Sequence, residues 1–203
     1  MREDRVQRKL TTILAADVEG YSRLMSADEE ATLKTYREII DRLIAGQNGR
    51  LVGTAGDAVL VEFGSTIEAV RCAMSIQEDL AVRNAERAED RRMRFRIGIN
   101  VGDVMVEGDD LFGDGVNVAA RLEELAEPGG ICISGSAVDQ VKNKLSIGFE
   151  DIGQQQVKNI AEPVPAFRVM PGPVAAAAGH LDDDPLAGGD GLGALAFELG
   201  ARG

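Results

Sequence analysis

The chain has 203 residues, of which 44% are hydrophobic and 28% charged, and its formal net charge is −12. This composition is typical of a globular domain with short extensions. The negative charge argues against general binding to nucleic acids or anionic membranes, which favour basic surfaces. Two cysteines and one histidine, His180, argue against a disulfide framework, histidine catalysis and a His-ligated zinc site.

The N-terminal region predicts a flexible charged segment, residues 1–8, followed by a buried strand at residues 9–16. The strand is β-rich and apolar, and it is followed by Asp17, Val18 and a glycine turn before the start of a helix. This end of the strand is a good site for a ligand, because the helix start offers free backbone N–H groups to a phosphate. Asp17 can equally be an ordinary turn or helix-capping residue.

The next part of the chain predicts a helix, a β-hairpin and a second helix. Apolar residues recur at helical spacing from residues 26–28 to about residue 45, and again over residues 66–87. Residues 50–53 and 58–63 predict two strands joined through a turn that contains Asp57. If these strands adjoin the first strand, Asp57 lies near Asp17, and the two carboxylates repel each other unless a divalent cation lies between them.

Residues 95–106 predict a strand pair or one long bent strand, with bulges at Gly98 and Gly102. A glycine-rich acidic loop containing Asp110 then leads into an amphipathic helix. Asn117 and Arg121 are four residues apart and therefore share a helix face, where an amide and a guanidinium suit an anion. A solvated arginine behind a glycine-rich loop is an equally good interpretation of this stretch alone.

The C-terminal region predicts a short helix, capped by Ser134, and three short strands, at residues 131–133, 149–152 and 165–169. The segment from residue 171 is rich in alanine, glycine and aspartate and cannot bury enough apolar surface to fold alone. We therefore expect a domain at residues 9–170 and a low-complexity tail or linker at residues 171–203. The sequence shows no signal peptide and no apolar run of membrane-spanning length, which predicts a cytoplasmic protein without membrane insertion.

Four segments occur in one order along the chain: AADVEGYSRLM, GTAGDAVLVEF, FRIGINVGDV and DLFGDGVNVAARLEELAEPGGICIS. Together they resemble the catalytic domain of class III nucleotidyl cyclases, the adenylate and guanylate cyclases, over residues 8–169. The resemblance implies an α+β, ferredoxin-like domain with a central, mainly antiparallel sheet flanked by helices. It also implies a head-to-tail homodimer with active sites at the interface.

The resemblance assigns roles to individual residues. It implies that two ions per active site, Mg²⁺ or Mn²⁺, are held by Asp17, Asp57 and the backbone carbonyl of Val18. The family's triphosphate loop matches Glu19, Gly20, Tyr21 and Ser22. The family's transition-state pair matches Asn117 and Arg121. Its base-reading aspartate matches Asp110, and its phosphate-binding lysine matches Lys158.

Gly53 departs from the family pattern. Adenylate cyclases usually have a base-reading lysine four residues before the second metal aspartate, and guanylate cyclases typically have a glutamate there. Glycine leaves purine recognition to Asp110 and to backbone groups. Asp110 favours adenine, because a carboxylate accepts a hydrogen bond from the exocyclic amine and repels the carbonyl oxygen of guanine.

The resemblance therefore predicts a phosphorus–oxygen lyase, an adenylate cyclase that converts ATP to 3′,5′-cyclic AMP and pyrophosphate. The 3′-hydroxyl attacks the α-phosphorus, with activation by metal rather than by a protein base. Two alternatives stay open. One is a catalytically impaired, cyclase-like module for nucleotide binding or dimerisation, and the other is a cyclase with relaxed selectivity between ATP and GTP. The sequence does not identify a regulatory domain or partner protein.

Overall fold

The computed structural model describes residues 7–45, 48–157 and 160–170. The strands in these ranges are β1 (Gln7–Val18), β2 (Arg50–Ala55), β3 (Ala58–Phe63), β4 (Phe95–Glu107), β5 (Asp110–Phe112), β6 (Ile131–Ser134), β7 (Gly148–Gln155) and β8 (Val164–Met170). The helices are α1 (Tyr21–Ala27), α2 (Glu29–Ala45), α3 (Thr66–Ala85), α4 (Asp114–Leu125) and α5 (Gly135–Val141). A short 3-10 turn, Glu89–Arg91, precedes β4.

The strands form one sheet in the order β2-β3-β1-β4-β6-β8-β7, with β5 paired to β4 outside this path. The pairing of β4 with β6 is parallel, and the other described strand pairs are antiparallel. The long central pair, β1 with β4, runs in register from Gln7↔Val106 to Val18↔Phe95. The prediction of an α+β domain with a mainly antiparallel sheet is confirmed.

The helices cover both faces of the sheet. Alternate residues of β1 point to opposite faces, and Leu14 and Ala16 belong to the core beneath α1, α2, α3 and α5. Ile13 and Ala15 pack on the other face with Ala119 of α4. A further cluster on the α4 side joins Leu122 to β6 and β8. Both cysteines are buried and free, as predicted.

The helix predicted to open at residues 26–28 is confirmed, because α2 begins at Glu29. The chain forms a separate seven-residue helix, α1, directly after Gly20, whose φ of 67° lies in the left-handed region that favours glycine. Asp28 then starts α2, because its side chain accepts a hydrogen bond from the Ala31 N–H at 3.0 Å. The Asp28 cap thus separates α2 from α1.

The predicted bulges at Gly98 and Gly102 are wrong, because both residues pair in continuous register with Ala15 and Thr11 of β1. Glycine at residue 98 has another cause. A Cβ there would lie 2.2 Å from the backbone oxygen of Ala119 and 2.2 Å from the backbone nitrogen of Glu123. Gly98 therefore lets α4 lie directly on β4, which brings the helix close to the end of β1.

The hairpin at residues 50–63 and the capped helix after β6 are confirmed. Ser134 accepts a hydrogen bond from the Ala137 N–H at 3.3 Å. The predicted acidic loop contains a short strand, β5, in which Asp110 pairs with Glu107. Within the described ranges, no helix combines the length and apolarity needed to cross a membrane. The predicted segments at residues 1–8 and 171–203 fall wholly or largely outside the described residues and stay predictions.

Candidate active site

The fold brings Asp17 and Asp57 together. Asp17 is the penultimate residue of β1, and Asp57 lies in the turn between β2 and β3. Since β3 pairs with β1 up to Ala16↔Val59, this turn lies beside the end of β1. The N–H of Val18 donates a hydrogen bond to Oδ2 of Asp57 at 3.3 Å. The condition set by the sequence, that the hairpin should adjoin the first strand, is therefore met.

The Asp57 carboxyl is in an unfavourable place for a negative charge. Burial raises its pKa, and the hydrogen bond and repulsion from Asp17 raise it further. The Tyr36 hydroxyl donates to the backbone oxygen of Asp57 at 3.2 Å, and burial beside these groups raises the pKa of Tyr36 to about 12. A divalent cation between the two carboxylates would relieve this repulsion.

Asp17 and Asp57 fit a metal that takes its remaining ligands from a substrate. Among the described residues, no three His, Cys, Asp or Glu side chains are grouped to hold an ion. Mg²⁺ is usually bound by one or two carboxylates together with substrate phosphates and water, so two aspartates suffice. Val18 lies beside both carboxylates, although its described contact is made by its N–H group and not by its carbonyl.

Sequence reasoning missed Arg96 and Glu123. Arg96 pairs directly with Asp17 in the β1–β4 register, and its Nη2 lies 2.5 Å from Oδ2 of Asp17 and 3.1 Å from Oε1 of Glu123. The alternation of Arg96 with buried Phe95 and Ile97 is visible in the sequence. The register that brings Arg96 to Asp17 is not visible in the sequence.

Glu123 of α4 is 9% exposed. Burial raises the pKa of its carboxyl to about 7, against the opposing effect of Arg96 and with a smaller contribution from Asp17. Asp17, Asp57, Arg96 and Glu123 are called the acidic cluster below. It combines three carboxylates with one guanidinium, so it has an excess of negative charge.

The predicted triphosphate loop lies next to the acidic cluster. The Glu19 N–H donates to the backbone oxygen of Arg94 at 2.9 Å, and the Glu19 side chain lies 3.6 Å from Arg23. The backbone oxygen of Ser22 accepts a hydrogen bond from the Ser26 hydroxyl at 2.8 Å. Gly20 supplies the left-handed turn between β1 and α1.

Tyr21 has a packing role in the described chain. Its ring lies 5.6 Å from that of Tyr36, which in turn stacks on Phe95 at 6.1 Å. Tyr36 also bonds the Asp57 backbone, so this row of aromatic rings supports the turn that carries the second aspartate.

Asn117 and Arg121 lie on α4, as predicted, with Asn117 exposed and Arg121 half-buried. Nη1 of Arg121 pairs with Glu124 at 2.8 Å, and its buried Nε has no hydrogen-bond partner. Among the described residues, no hydrogen bond or ion pair joins Asn117 or Arg121 to Asp17 or Asp57. The structure therefore brings the two aspartates together without linking them to Asn117 or Arg121 by a polar contact.

The predicted base-reading positions lie on β2 and β5. Asp110 is exposed at the start of β5, and the carbonyl of its neighbour Asp109 accepts a hydrogen bond from Arg50 of β2 at 2.8 Å. Gly53 is exposed on β2, with no atom within 4 Å of the place a Cβ would occupy. Lys158 lies outside the described residues, so its predicted role stays untested.

Comparison with known proteins identifies the family. A sequence model of the adenylate and guanylate cyclase catalytic domain matches residues 5–169. The chain belongs to this family. The cyclase domain is 47% identical over 168 residues to a putative adenylate cyclase 3 of Rhizobium meliloti, a match that covers 81% of this chain.

Solved structures agree with this assignment. An adenylate/guanylate cyclase/hydrolase from Silicibacter pomeroyi has 44% sequence identity and a TM-score of 0.75, covering 81% of this chain and 98% of that one. The adenylyl cyclase CyaB from P. aeruginosa, at 24% identity and a TM-score of 0.71, covers 84% of this chain and 98% of that one and shares the fold. The match to the R. meliloti protein spans only 29% of that protein's length.

Proposed function

We propose that this cyclase domain, at residues 9–170, is an adenylate cyclase that forms 3′,5′-cyclic AMP and pyrophosphate from ATP. The observation that carries the proposal is the pairing of Asp17 with Asp57 at the end of β1, where burial and the neighbouring Asp17 carboxyl raise the pKa of Asp57. Proteins seldom keep two carboxylates this close without a cation or a shared proton. A phosphate-transfer site is the setting in which such a pair is useful.

Asp17 and Asp57, with the Val18 carbonyl, would hold Mg²⁺ or Mn²⁺. When bound, these ions lower the pKa of the attacking 3′-hydroxyl and neutralise the triphosphate. Arg96 holds one oxygen of Asp17 by a 2.5 Å bond and so orients this carboxylate beside Asp57. Glu123 in turn pairs with Arg96, and these contacts keep the first aspartate in one rotamer before substrate arrives.

Asn117 and Arg121 would act on the substrate itself. We propose that Arg121 stabilises the charge that develops on the α-phosphate and that Asn117 holds the ribose. Asn117 is exposed and Arg121 half-buried on α4, which leaves both side chains available to a ligand. The loop of Glu19, Gly20, Tyr21 and Ser22 would receive the triphosphate, together with Lys158. Asp110 would accept a hydrogen bond from the exocyclic amine of adenine.

The lack of any hydrogen bond or ion pair, among the described residues, from Asn117 or Arg121 to the aspartates supports a homodimer in which each site uses both chains. In an isologous pair, one chain would supply Asp17 and Asp57, and its partner would supply Asn117 and Arg121. We further propose that the domain works in the cytoplasm, where ATP and magnesium are available.

The direct test is incubation of the purified chain with ATP or GTP and either Mg²⁺ or Mn²⁺, followed by identification of the product. We expect cyclic AMP and pyrophosphate from ATP. Cyclic GMP formed at a similar rate would favour a cyclase of relaxed selectivity, the alternative that Gly53 leaves open. ATP binding without any cyclic product would favour the impaired binding module.

The dimer has its own test. Asp57→Ala and Arg121→Ala proteins should each be nearly inactive, and a mixture that exchanges subunits should regain activity. Random pairing gives about half heterodimers, each with one intact site, so roughly a quarter of wild-type activity should return. If exchange is demonstrated and no activity returns, the sites are built within single chains.

A further inference from the structure

A second charged group lies on the same face of β1 as the acidic cluster. Glu62 of β3 is a buried carboxylate whose side chain is 10% exposed. Lys9 Nζ lies 2.5 Å from its Oε1, and the Thr11 hydroxyl donates to the same oxygen at 2.9 Å. Arg50 Nε and Nη2 lie 2.9 and 2.8 Å from its Oε2. Lys9, Thr11, Arg50 and Glu62 are called the Glu62 clamp below.

The Glu62 clamp holds one guanidinium in a single orientation. Burial acts to raise the pKa of Glu62, but the hydrogen bonds from Lys9, Arg50 and Thr11 outweigh it and lower the pKa below the ordinary value. Glu62 is therefore a stable anion that fixes two of the three nitrogens of Arg50. The third nitrogen, Nη1, donates to the carbonyl of Asp109 at 2.8 Å.

Asp109 lies at the tip of the β4–β5 hairpin, between Gly108 and Asp110. The hairpin is short, since β5 has three residues, and its tip turns at Gly108 with a φ of 60°. The buried side chain of Leu111 anchors the middle of β5, while Asp110 itself is exposed. A bond to the Asp109 carbonyl thus restrains the peptide unit directly before Asp110.

We propose that Arg50, held by Glu62, is a positioning residue that sets the Asp110 carboxylate for purine recognition. The inference rests on the proposed function, in which Asp110 reads the base. A carboxylate selects adenine over guanine only if its oxygens are held where the exocyclic amine arrives. With glycine at residue 53, no lysine at that position shares this task, so the rigidity of the hairpin has more effect on selectivity.

The experiment compares Arg50→Ala, Arg50→Lys and the matched control Arg168→Ala. Arg168 also bonds two carboxylates, Glu150 and Glu127, but it lies on β8. Lysine at residue 50 keeps the charge near Glu62, but it lacks the planar fork that bonds the Glu62 carboxylate and the Asp109 carbonyl together. Arg50→Lys therefore tests positioning in a protein that retains the ion pair, even if Arg50→Ala folds poorly.

Hydrogen exchange of the backbone amides at residues 107–112 reports the clamp without any enzyme activity. We expect faster exchange of this segment in both Arg50 variants and unchanged exchange in Arg168→Ala. Unchanged exchange in folded Arg50→Lys would overturn the clamp. This measurement needs no turnover, so its outcome does not depend on the proposed function. The proposed function fails instead if the wild-type protein forms no cyclic nucleotide.

Kinetics then test the link to Asp110. In the Arg50 variants the ratio of kcat/KM for ATP to that for GTP should fall about tenfold, mainly through a higher KM for ATP. In an Asp110→Ala background the same Arg50 substitution should leave the ratio unchanged, because the residue it positions is absent. A ratio that stays at the wild-type value in the single variant, or falls equally in both backgrounds, would show that Arg50 does not act through Asp110.

Discussion

The acidic cluster and the Glu62 clamp are two charged groups on one face of β1 with opposite balances. Lys9 and Thr11, in the first half of the strand, contact Glu62, and Asp17 at its end belongs to the acidic cluster. The Glu62 clamp has two cations for one carboxylate, and the pKa of that carboxylate is lowered. The acidic cluster has one cation for three carboxylates, and the pKa values of Asp57 and Glu123 are raised.

This difference separates charges that are neutralised by the chain from charges that are not. A buried carboxylate with enough donors stabilises the fold and restrains its neighbours. A buried group with excess negative charge lowers stability until a cation arrives, and such groups are characteristic of functional sites. We therefore expect substitutions in the acidic cluster to change metal binding and catalysis, and substitutions in the Glu62 clamp to change stability and base selectivity.

The largest expected effect is on turnover in Asp57→Ala. Loss of a metal ligand should remove several kcal/mol of transition-state stabilisation, a fall of about 10³-fold or more in kcat. The melting temperature should hold or rise, because the substitution relieves repulsion with Asp17. Asp139→Ala, which removes an exposed carboxylate on α5, is the control and should keep full activity. Wild-type turnover in folded Asp57→Ala would contradict the two-metal site.

The second effect concerns Gly53, which lies on β2 between Arg50 of the Glu62 clamp and Asp57 of the acidic cluster. Since no atom lies within 4 Å of the place a Cβ would occupy, Gly53→Lys should fold. A hydrogen bond to a charged group is worth about 1.5–3 kcal/mol, so the ATP-to-GTP ratio of kcat/KM should rise about ten- to a hundredfold. Gly53→Ala adds the Cβ without the charge and should leave the ratio unchanged. An equal ratio in folded Gly53→Lys and wild type would show that residue 53 does not face the base.

The third effect is metal-dependent stability. A divalent ion at about 100 times its Kd should stabilise the wild-type fold by about 2.7 kcal/mol, a rise of about 5–10 °C in Tm. Asp57→Ala should lose this rise, and Glu62→Gln should keep it, since Glu62 already has its cations. Calorimetric melts with Mn²⁺ and with EDTA measure the difference. An equal rise in Asp57→Ala would place the metal elsewhere.

The smallest effect is on how stability changes with pH, measured without metal. Glu123 has a folded pKa of about 7 against an ordinary 4.5, so its contribution is full below pH 4.5 and is lost as the pH rises through 7. Glu62 has a lowered folded pKa, so its contribution is present above pH 4.5 and is lost as the pH falls. The Glu123 contribution should be on the order of 3 kcal/mol.

Chemical denaturation of Glu123→Gln and Glu62→Gln across pH 3 to 8 should therefore show opposite changes. The Glu123 variant should lose less stability than wild type between about pH 4.5 and 7, and the Glu62 variant should be weakened most at neutral pH. Parallel curves for the two variants would remove the contrast between the acidic cluster and the Glu62 clamp.

The sequence by itself determined the family, most of the strands and the residue types of the site. The order of the four motifs identified the cyclase domain, and local signals such as the Ser134 cap were sufficient for several element boundaries. It also predicted that Asp57 would meet Asp17 if the hairpin adjoined β1, and the register of β3 with β1 meets that condition. The roles of Asn117, Arg121, Asp110, Gly53 and Lys158 stay predictions.

The tertiary structure decided which distant residues meet, because alternation along a strand shows the face of a side chain but not its cross-strand partner. Arg96 reaches Asp17 only through the register of β4 on β1, and Arg50 bonds Asp109 across 59 residues of chain. The need for Gly98 likewise came from α4 lying against β4 rather than from a bulge. Long-range pairing depends on the whole fold, so no local pattern could have supplied these contacts.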